Sequence, residues 1–198
     1  MIVWAQLQRV TAPLSPPVTL LEAKQQCRIE TDDDDALVRR LIDTATDMLD
    51  GPEGLGVALM PQTWKLVLPC FPAELLLPLQ PVMAITSIQY VDPAGATQTF
   101  APANYRLFTA AVDAEVELVS GASWPSTDSR RAAVIVTFAC GFADMASVPA
   151  SLRHAILLMV GALYENREAE TIAAGVVNSV VLQTFERLKA QYRRVAFG

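Results

Sequence analysis

The spacing of hydrophobic and polar positions changes twice along the chain, and the changes predict three regions. Between residues 19 and 50 apolar side chains recur every three to four positions, which is typical of amphipathic helices. From about residue 59 to residue 139 they alternate with polar ones, which predicts strands. After residue 147 the helical period returns. The predicted order is therefore two helices, an inserted β segment and two further helices.

The first two helices carry acidic signals at their starts. Thr19 followed three residues later by Glu22 forms a capping box, so the first helix is expected to begin there. The second is expected over residues 33–50, and the acidic run 32–35 is interpreted as capping its free N–H groups and complementing its dipole. A calcium loop is the alternative, but the Asp-x-Asp-x-Asp-Gly spacing and its late Glu are missing.

Short strands separated by turn residues fill the insert. The predicted strands are 63–68, 75–79, 85–91, 97–100, 105–108, 115–119 and 133–139. Most of the 13 prolines lie in this segment or near the amino terminus, where loops and sheet edges tolerate them. This pattern predicts a small antiparallel sandwich or barrel.

The helix that follows the insert is apolar on most of its sides. Ser147 is expected to cap it, with Pro149 in its first turn. One face carries Leu152, Ile156, Met159 and Leu163, and the opposite face carries Arg153, Leu157, Val160 and Tyr164. A helix of this kind is surrounded by protein, so a central core helix is favoured. The alternative is that one face meets a neighbouring subunit.

The two ends of the chain differ in character. Residues 1–17 contain three prolines and are expected to form an extended arm, with Trp4 and Leu7 anchoring it to its own domain or to a neighbour. A last helix is expected over residues 179–195, and its end is basic. These cations either complement the helix dipole in solvent or dock on an acidic partner.

Taken together, the elements predict an α+β fold with one insertion. A helical bundle of two amino-terminal and two carboxyl-terminal helices is assigned to residues 18–56 and 141–198. An inserted β subdomain, a small antiparallel sandwich or barrel, is assigned to residues 57–140. Residues 1–17 form the extended arm.

Composition and charge narrow the function classes. Of the 198 residues 52% are hydrophobic and 18% are charged, so a sizeable core is expected. The net charge of −6 argues against a protein that mainly grips phosphates, although an acidic wall suits a surface past which DNA slides. The apolar run in the central helix is too short to span a membrane, and the start lacks a signal-peptide pattern. Synthesis in the cytoplasm is therefore expected.

Catalytic and metal-binding patterns are not found in the sequence. The three cysteines are far apart and are interpreted as buried small hydrophobes, and the single histidine, His154, is interpreted as a structural residue of the central helix. No nucleophile elbow, phosphate loop or zinc-protease motif is present. No catalytic residue, cofactor or metal ligand is predicted, and an enzyme is disfavoured.

Four stretches in this order resemble one family, the head–tail connector (head-completion adaptor) proteins of long-tailed phages, prophages and gene transfer agents. They are residues 18–24 with 34–42, residues 61–64, the Gly-Ala-Ser-Trp-Pro segment at 121–125, and residues 141–168. The resemblance covers about residues 17–195. The turn at 50–54 departs from it, because relatives usually carry a Thr-Gly-Arg-like sequence there.

The resemblance implies a structural virion protein without enzymatic activity. Such proteins form a ring, commonly of twelve copies, beneath the portal; the ring extends the DNA channel and offers a surface to a stopper or tail-completion protein. The implied partners are further copies, the portal, the next neck protein and DNA that passes without specific binding, with no membrane. The protein is expected in the cytoplasm during assembly and then in the neck of the particle.

The resemblance and the helix patterns together nominate contact residues. The portal-docking candidates on the carboxyl-terminal segment are Phe185, Leu188, Tyr192, Arg193, Arg194 and Phe197. The subunit-interface candidates are Trp4, Leu7, Arg153, Leu157, Val160 and Tyr164. Two other functions stay open: a tail-completion or stopper protein, and a DNA-binding accessory protein that uses the basic last helix.

Overall fold

The computed structural model describes residues 6–109, 113–165, 183–184 and 187–188. Contacts divide the chain into two compact units. The β unit contains the described residues up to Pro13 together with Pro61–Gly141, and the helical unit contains Leu14–Met60 and the described residues from Phe142 onward. The domain boundaries predicted from the sequence, with an arm over 1–17 and an insert over 57–140, stay predictions.

The helical unit contains α1 (Leu20–Cys27), α2 (Asp35–Asp47) and α3 (Ala150–Glu165). The capping box of α1 is confirmed, because the Thr19 hydroxyl accepts from the Glu22 N–H and the Glu22 carboxylate accepts from the Thr19 N–H. The helix ends at Arg28, whose left-handed backbone (φ 56°) leaves the helical path.

The start of α3 differs from the prediction. Ser147 does not cap this helix; it ends a 3₁₀ turn over Met145–Ser147, whose own cap is the side chain of Asp144. The helix begins at Ala150, where the Pro149 carbonyl accepts the first helical hydrogen bonds. A proline suits this place because its missing N–H would have no helical partner.

The core of the helical unit confirms α3 as the central helix. Leu152, Ile156 and Val160 are fully buried, and they pack with Val38 and Ile42 of α2. Both predicted faces of α3 therefore contribute to the core. The burial of a helix on more than one face follows from its apolar composition.

The β unit contains eight described strands in two antiparallel sheets. They are β1 (Gln6–Thr11), β2 (Gln62–Leu68), β3 (Leu75–Leu77), β4 (Val82–Val91), β5 (Thr97–Thr99), β6 (Tyr105–Phe108), β7 (Ala114–Leu118) and β8 (Val134–Cys140). The larger sheet has the order β1-β2-β8-β4-β5 and the smaller has the order β3-β7-β6. Seven of the strands match predicted ones; β1 was expected only as part of an extended arm.

Alternation along the strands places the core of this unit. Val134, Val136 and Phe138 of β8 are buried, whereas the residues between them are half-exposed. Trp64 lies opposite Phe138 and Leu66 opposite Val136, so one face of the sheet is continuously apolar. The period of two in the sequence is the direct cause of this one-sided core.

The fold class is confirmed at the level of helices combined with antiparallel sheets. The helical-bundle and sandwich descriptions stay predictions. Most of the expected last helix lies outside the described residues, although 183–184 and 187–188 are helical.

Candidate assembly surfaces

The candidate interface residues on α3 lie in different surroundings. Val160 is fully buried, and Leu157 is half-buried at the margin of the same core. Arg153 is half-exposed, with its Nη1 atom 3.7 Å from Glu22 Oε1 of α1. Tyr164 donates its hydroxyl hydrogen to Asp34 Oδ2. Leu157 is the member of this set with an apolar side chain on the margin of the unit.

The acidic run before α2 connects this helix to its neighbours. Asp34 stands at the N-cap of α2, but its side chain makes no capping hydrogen bond, and its carboxylate accepts from Tyr164 of α3. The expectation that this run caps free N–H groups is therefore wrong for the N-cap residue. Leaving the Tyr164 hydroxyl without a partner would cost more free energy than leaving the helix N–H groups to be hydrogen-bonded by water.

Lys24 of α1 joins the other carboxylates of this run. Its Nζ lies 2.6 Å from Asp32 Oδ1 and 2.7 Å from Asp35 Oδ1, and its side chain is only 11% exposed. The hydrogen bonds to Asp32 and Asp35 raise the pKa of Lys24. The hydrogen bond from Lys24 in turn lowers the pKa of Asp32. These contacts hold α1 beside the start of α2.

The exposed face of α2 has an uneven charge distribution. Arg39 and Arg40 lie in its middle, and Asp43 and Asp47 follow at its end, one helical turn apart. No basic residue occurs in its last turn. Two like charges at this spacing, beside the negative end of the helix dipole, do not stabilise the helix. This end of α2 is an acidic surface.

The loop between α2 and β2 is tightly built, although its sequence departs from the family pattern. Buried Asp50 accepts from the Leu59 N–H at 2.8 Å, and the Gly51 N–H donates to Val57 at 2.8 Å. Gly51 has a φ of 77°, which favours glycine. The departure at 50–54 therefore forms a closed turn of its own.

In the β unit an aromatic group secures the Gly-Ala-Ser-Trp-Pro segment. The ring of Trp124 stacks on Phe71 with centroids 4.6 Å apart and lies 5.1 Å from Phe100. The loop continues to Asp128, whose N–H donates to Val91 of β4 at 2.9 Å. Offset and tilted ring pairs of this kind add specific packing energy. The segment that contributed to the resemblance is thus an anchored loop.

Leu7 lies on β1 at the edge of the larger sheet, opposite Leu66 of β2. The Arg9 guanidinium lies 4.9 Å from the centre of the Trp64 ring, which is a cation–π contact. This strand was not predicted from the sequence. Its alternation of Gln6, Leu7 and Gln8 is the signal that could have revealed it, but the nearby prolines favoured an arm.

The carboxyl-terminal candidates lie mostly outside the described residues. Phe185, Tyr192, Arg193, Arg194 and Phe197 lie outside them, as does Trp4 at the other end. Leu188 is described and is buried in the core of the helical unit.

The cysteines, the histidine and the possible metal ligands of the described ranges were also compared with the predictions. Cys140 is buried, as expected, and Cys27 is only half-buried. Cys70 is exposed, so its interpretation as a buried hydrophobe is wrong. His154 is exposed on α3. Within the same ranges no group of His, Cys, Asp and Glu could hold a metal ion, and no helix is long and apolar enough to cross a membrane.

A family model matches about a quarter of the chain, close to its amino terminus. Residues 17–66, which include α1, α2 and the start of β2, match the model of the phage gp6-like head–tail connector protein family. No curated protein sequence matches the chain.

Solved structures match nearly the whole chain. A chain from the neck of an empty gene transfer agent particle, computed with C6 symmetry, has 26% identity and a TM-score of 0.73, covering 92% of this chain and 94% of that chain. The resemblance to head–tail connector proteins is confirmed. A chain from the virion of a native gene transfer agent particle has 25% identity and a TM-score of 0.72, with the same coverage.

A third solved chain supports the fold alone. It comes from the neck of a native particle computed with C12 symmetry, with 23% identity, a TM-score of 0.67, and 92% and 94% of the two chains covered. The family match and the neck structures together support a structural role as a connector in the neck of a phage-like particle.

Proposed function

We propose that this connector forms a ring beneath the portal, extends the DNA channel and offers a docking surface to the next neck protein. The observation that carries the proposal is the match to a neck chain over 92% of the protein, with a TM-score of 0.73. A match of this extent includes residues of both units.

A ring of twelve copies is the form we propose. The matched necks were computed with C6 and C12 symmetry. A ring of twelve is compatible with both, because twelvefold symmetry contains sixfold symmetry. The net charge of −6 suits a channel wall that does not hold DNA by its phosphates.

Contacts between copies are proposed at the margin of α3 and at β1. Leu157 and Leu7 are half-buried within one copy, so part of each apolar side chain is free for a neighbour. Arg153 and Tyr164 are assigned to this margin in a supporting role, because each also binds an acidic residue of its own chain. Val160 contributes to the core of the helical unit, and Trp4 is proposed as a further contact of the segment that contains Leu7.

The carboxyl-terminal segment is proposed to dock on the portal. This segment is basic because it contains Arg187, Lys189, Arg193 and Arg194. By contrast, residues 14–60 of the same chain include ten acidic and four basic residues. Phe185, Tyr192 and Phe197 would supply apolar contacts, and Leu188 would hold the segment to the helical unit. Aromatic and arginine side chains are the usual anchors of protein interfaces.

The proposed role is structural and not enzymatic. The matched family and the matched neck chains are structural parts of particles. No cofactor is proposed, and no residue is assigned to catalysis.

Light scattering after size exclusion tests the proposal, with the protein alone and mixed with its portal. We expect comigration with the portal at a mass that corresponds to a ring. The double variant Arg193→Ala/Arg194→Ala should lose this comigration. The matched control Arg40→Ala/Arg131→Ala removes two exposed charges elsewhere and should retain it.

A protein that stays monomeric in both samples would contradict the ring. A stopper or tail-completion protein also lies in the neck and is the second candidate, because a neck match does not distinguish the two positions. Such a protein would bind an assembled connector ring but not the bare portal, so both mixtures should be measured.

A further inference from the structure

Strand β1 is weakly integrated into the sheet that contains it. It lies at the edge, and β2 is its partner among the described strands. None of its six residues is buried. Backbone pairing with β2 and the contact of Arg9 with Trp64 hold it in place. Little apolar area is therefore lost from the sheet when this strand leaves it.

The segment after β1 connects the two units and is open to solvent. Ala12, Ser15 and Pro16 are exposed, and the Leu14 side chain is fully exposed at 101%. Buried Val18 marks the point where the chain enters the core of the helical unit. The prolines in this segment favour an extended backbone between the strand and α1.

The outer edge of β1 is unsuited to a further strand. The register shifts between Arg9 and Thr11, so Val10 is a bulge at the point where the strand ends. Bulges and charged residues on an edge strand prevent uncontrolled pairing. A neighbouring copy is therefore better accommodated on the inner side of β1, in place of the strand's own β2.

We infer that β1 of each copy pairs with β2 of the next copy in the ring. The inference rests on the ring proposed above. An exchanged strand retains every register pair of β1 with β2, so the exchange loses no hydrogen bond. Leu14 then lies in a connection between two copies, where a neighbour can cover it. Because the contact joins two different surfaces, it repeats around a closed ring.

Disulfide trapping distinguishes exchange from pairing within one chain. Gln8 and Lys65 lie directly opposite each other in the register of β1 and β2. Cα atoms of directly opposed residues in antiparallel strands are about 4.5–5.5 Å apart, which a disulfide can bridge. The test variant is Gln8→Cys/Lys65→Cys. It carries Cys70→Ser as well, because Cys70 is exposed.

A matched control uses the same sheet. Lys65 is also directly opposite Thr137 of β8, which lies inside the sheet between β2 and β4. The variant Lys65→Cys/Thr137→Cys, again with Cys70→Ser, should therefore close within one chain. Both variants are assembled with the portal, oxidised, denatured and separated on a gel without reductant, and their remaining thiols are counted.

For the test variant we expect most chains to run as a ladder of covalently linked multimers. For the control variant we expect a single-chain band. After reduction, both variants should run as monomers. Rings in which the test disulfide forms only within single chains would overturn the exchange and leave the ring intact. Free thiols at both substituted positions in assembled rings would overturn it as well. Failure of every variant and of the parent to form rings would reject the ring and the exchange together.

Discussion

At the scale of single residues, polar side chains determine how the helices of one unit meet. Lys24 binds Asp32 and Asp35, and Tyr164 binds Asp34. These contacts join three helices at the start of α2. The contacts of Lys24 with Asp35 and of Tyr164 with Asp34 are partly buried, so loss of one partner leaves the other poorly solvated.

Glycine at position 54 is required by a close approach of backbone. A Cβ there would lie 2.4 Å from the carbonyl carbon and oxygen of Leu49. Leu49 is buried, and its carbonyl accepts from the Leu55 N–H at 2.9 Å, so it cannot move without opening the loop. We expect Gly54→Ala to lower the free energy of unfolding by about 3 kcal/mol, at the upper end for overpacking. Guanidinium unfolding followed by far-UV circular dichroism measures this.

Gly56 is the control in the same loop. A Cβ there meets nothing within 4 Å, although its φ of +71° is left-handed. Gly56→Ala should therefore cost only about 1 kcal/mol, the penalty for a side chain in that conformation. Equal losses for the two variants would show that the approach to Leu49 is not the cause.

At the scale of elements, the ends of helices depend on residues close by in the sequence. The pairing of strands depends on residues far away in the sequence. The capping box at Thr19 is contained within four residues and was predicted. The start of α3 at Ala150 depended on a competing 3₁₀ turn at Met145–Ser147, which apolar spacing does not reveal. For β1 the deciding factor was a partner strand more than fifty residues away.

The α1 cap makes stability depend on pH. Hydrogen bonds from the Thr19 N–H and hydroxyl, with the nearby Arg153 charge, lower the pKa of Glu22 below its usual 4.5. Its stabilisation is therefore fully present above pH 4.5 and is lost as the pH falls through the folded-state pKa. Glu22→Gln retains an acceptor for the cap, so it should lose less stability on acidification than the parent. Glu22→Ala should cost about 1 kcal/mol at neutral pH.

Denaturant unfolding at pH 7 and at several values below 4.5 checks this prediction. Glu30→Gln is the matched control, because Glu30 is exposed and makes no hydrogen bond or ion pair within the described part of the chain. Its acid response should equal that of the parent. An unchanged acid response in Glu22→Gln would argue against the Glu22 carboxylate as a source of the dependence.

At the scale of the whole molecule, the net charge of the protein distinguishes a role as a channel wall from a role in DNA binding. The net charge is −6, and α2 ends in an exposed acidic surface. Since affinity for DNA comes mainly from neutralised phosphates, we expect duplex DNA to bind with a Kd weaker than about 100 μM at physiological salt. Fluorescence anisotropy with a labelled duplex measures this.

The DNA-binding alternative predicts the opposite result. Micromolar affinity that falls with added salt, and falls again in Arg193→Ala/Arg194→Ala, would favour an accessory protein that uses the last helix. The Arg40→Ala/Arg131→Ala variant controls for a general loss of positive charge. This measurement is independent of ring formation.

The sequence by itself determined most helices and strands of this connector. Hydrophobic periodicity is a local property of the sequence, and it matches the repeat of a helix or strand that buries one face. It also determined the α1 cap and the central position of α3, which carries apolar residues on most of its sides. Together with the resemblance, these features placed the chain in the neck of a particle.

Only the tertiary structure decided the remaining contacts. Asp34 meets Tyr164 across 130 residues, β1 joins the sheet through β2, and Gly54 is forced by the backbone of Leu49. Each of these depends on which segments are brought together by folding, and side-chain spacing along the chain carries no information about that. The physical reason is that the energy of a contact depends on both segments that form it, whereas the hydrophobic periodicity of one segment describes that segment alone.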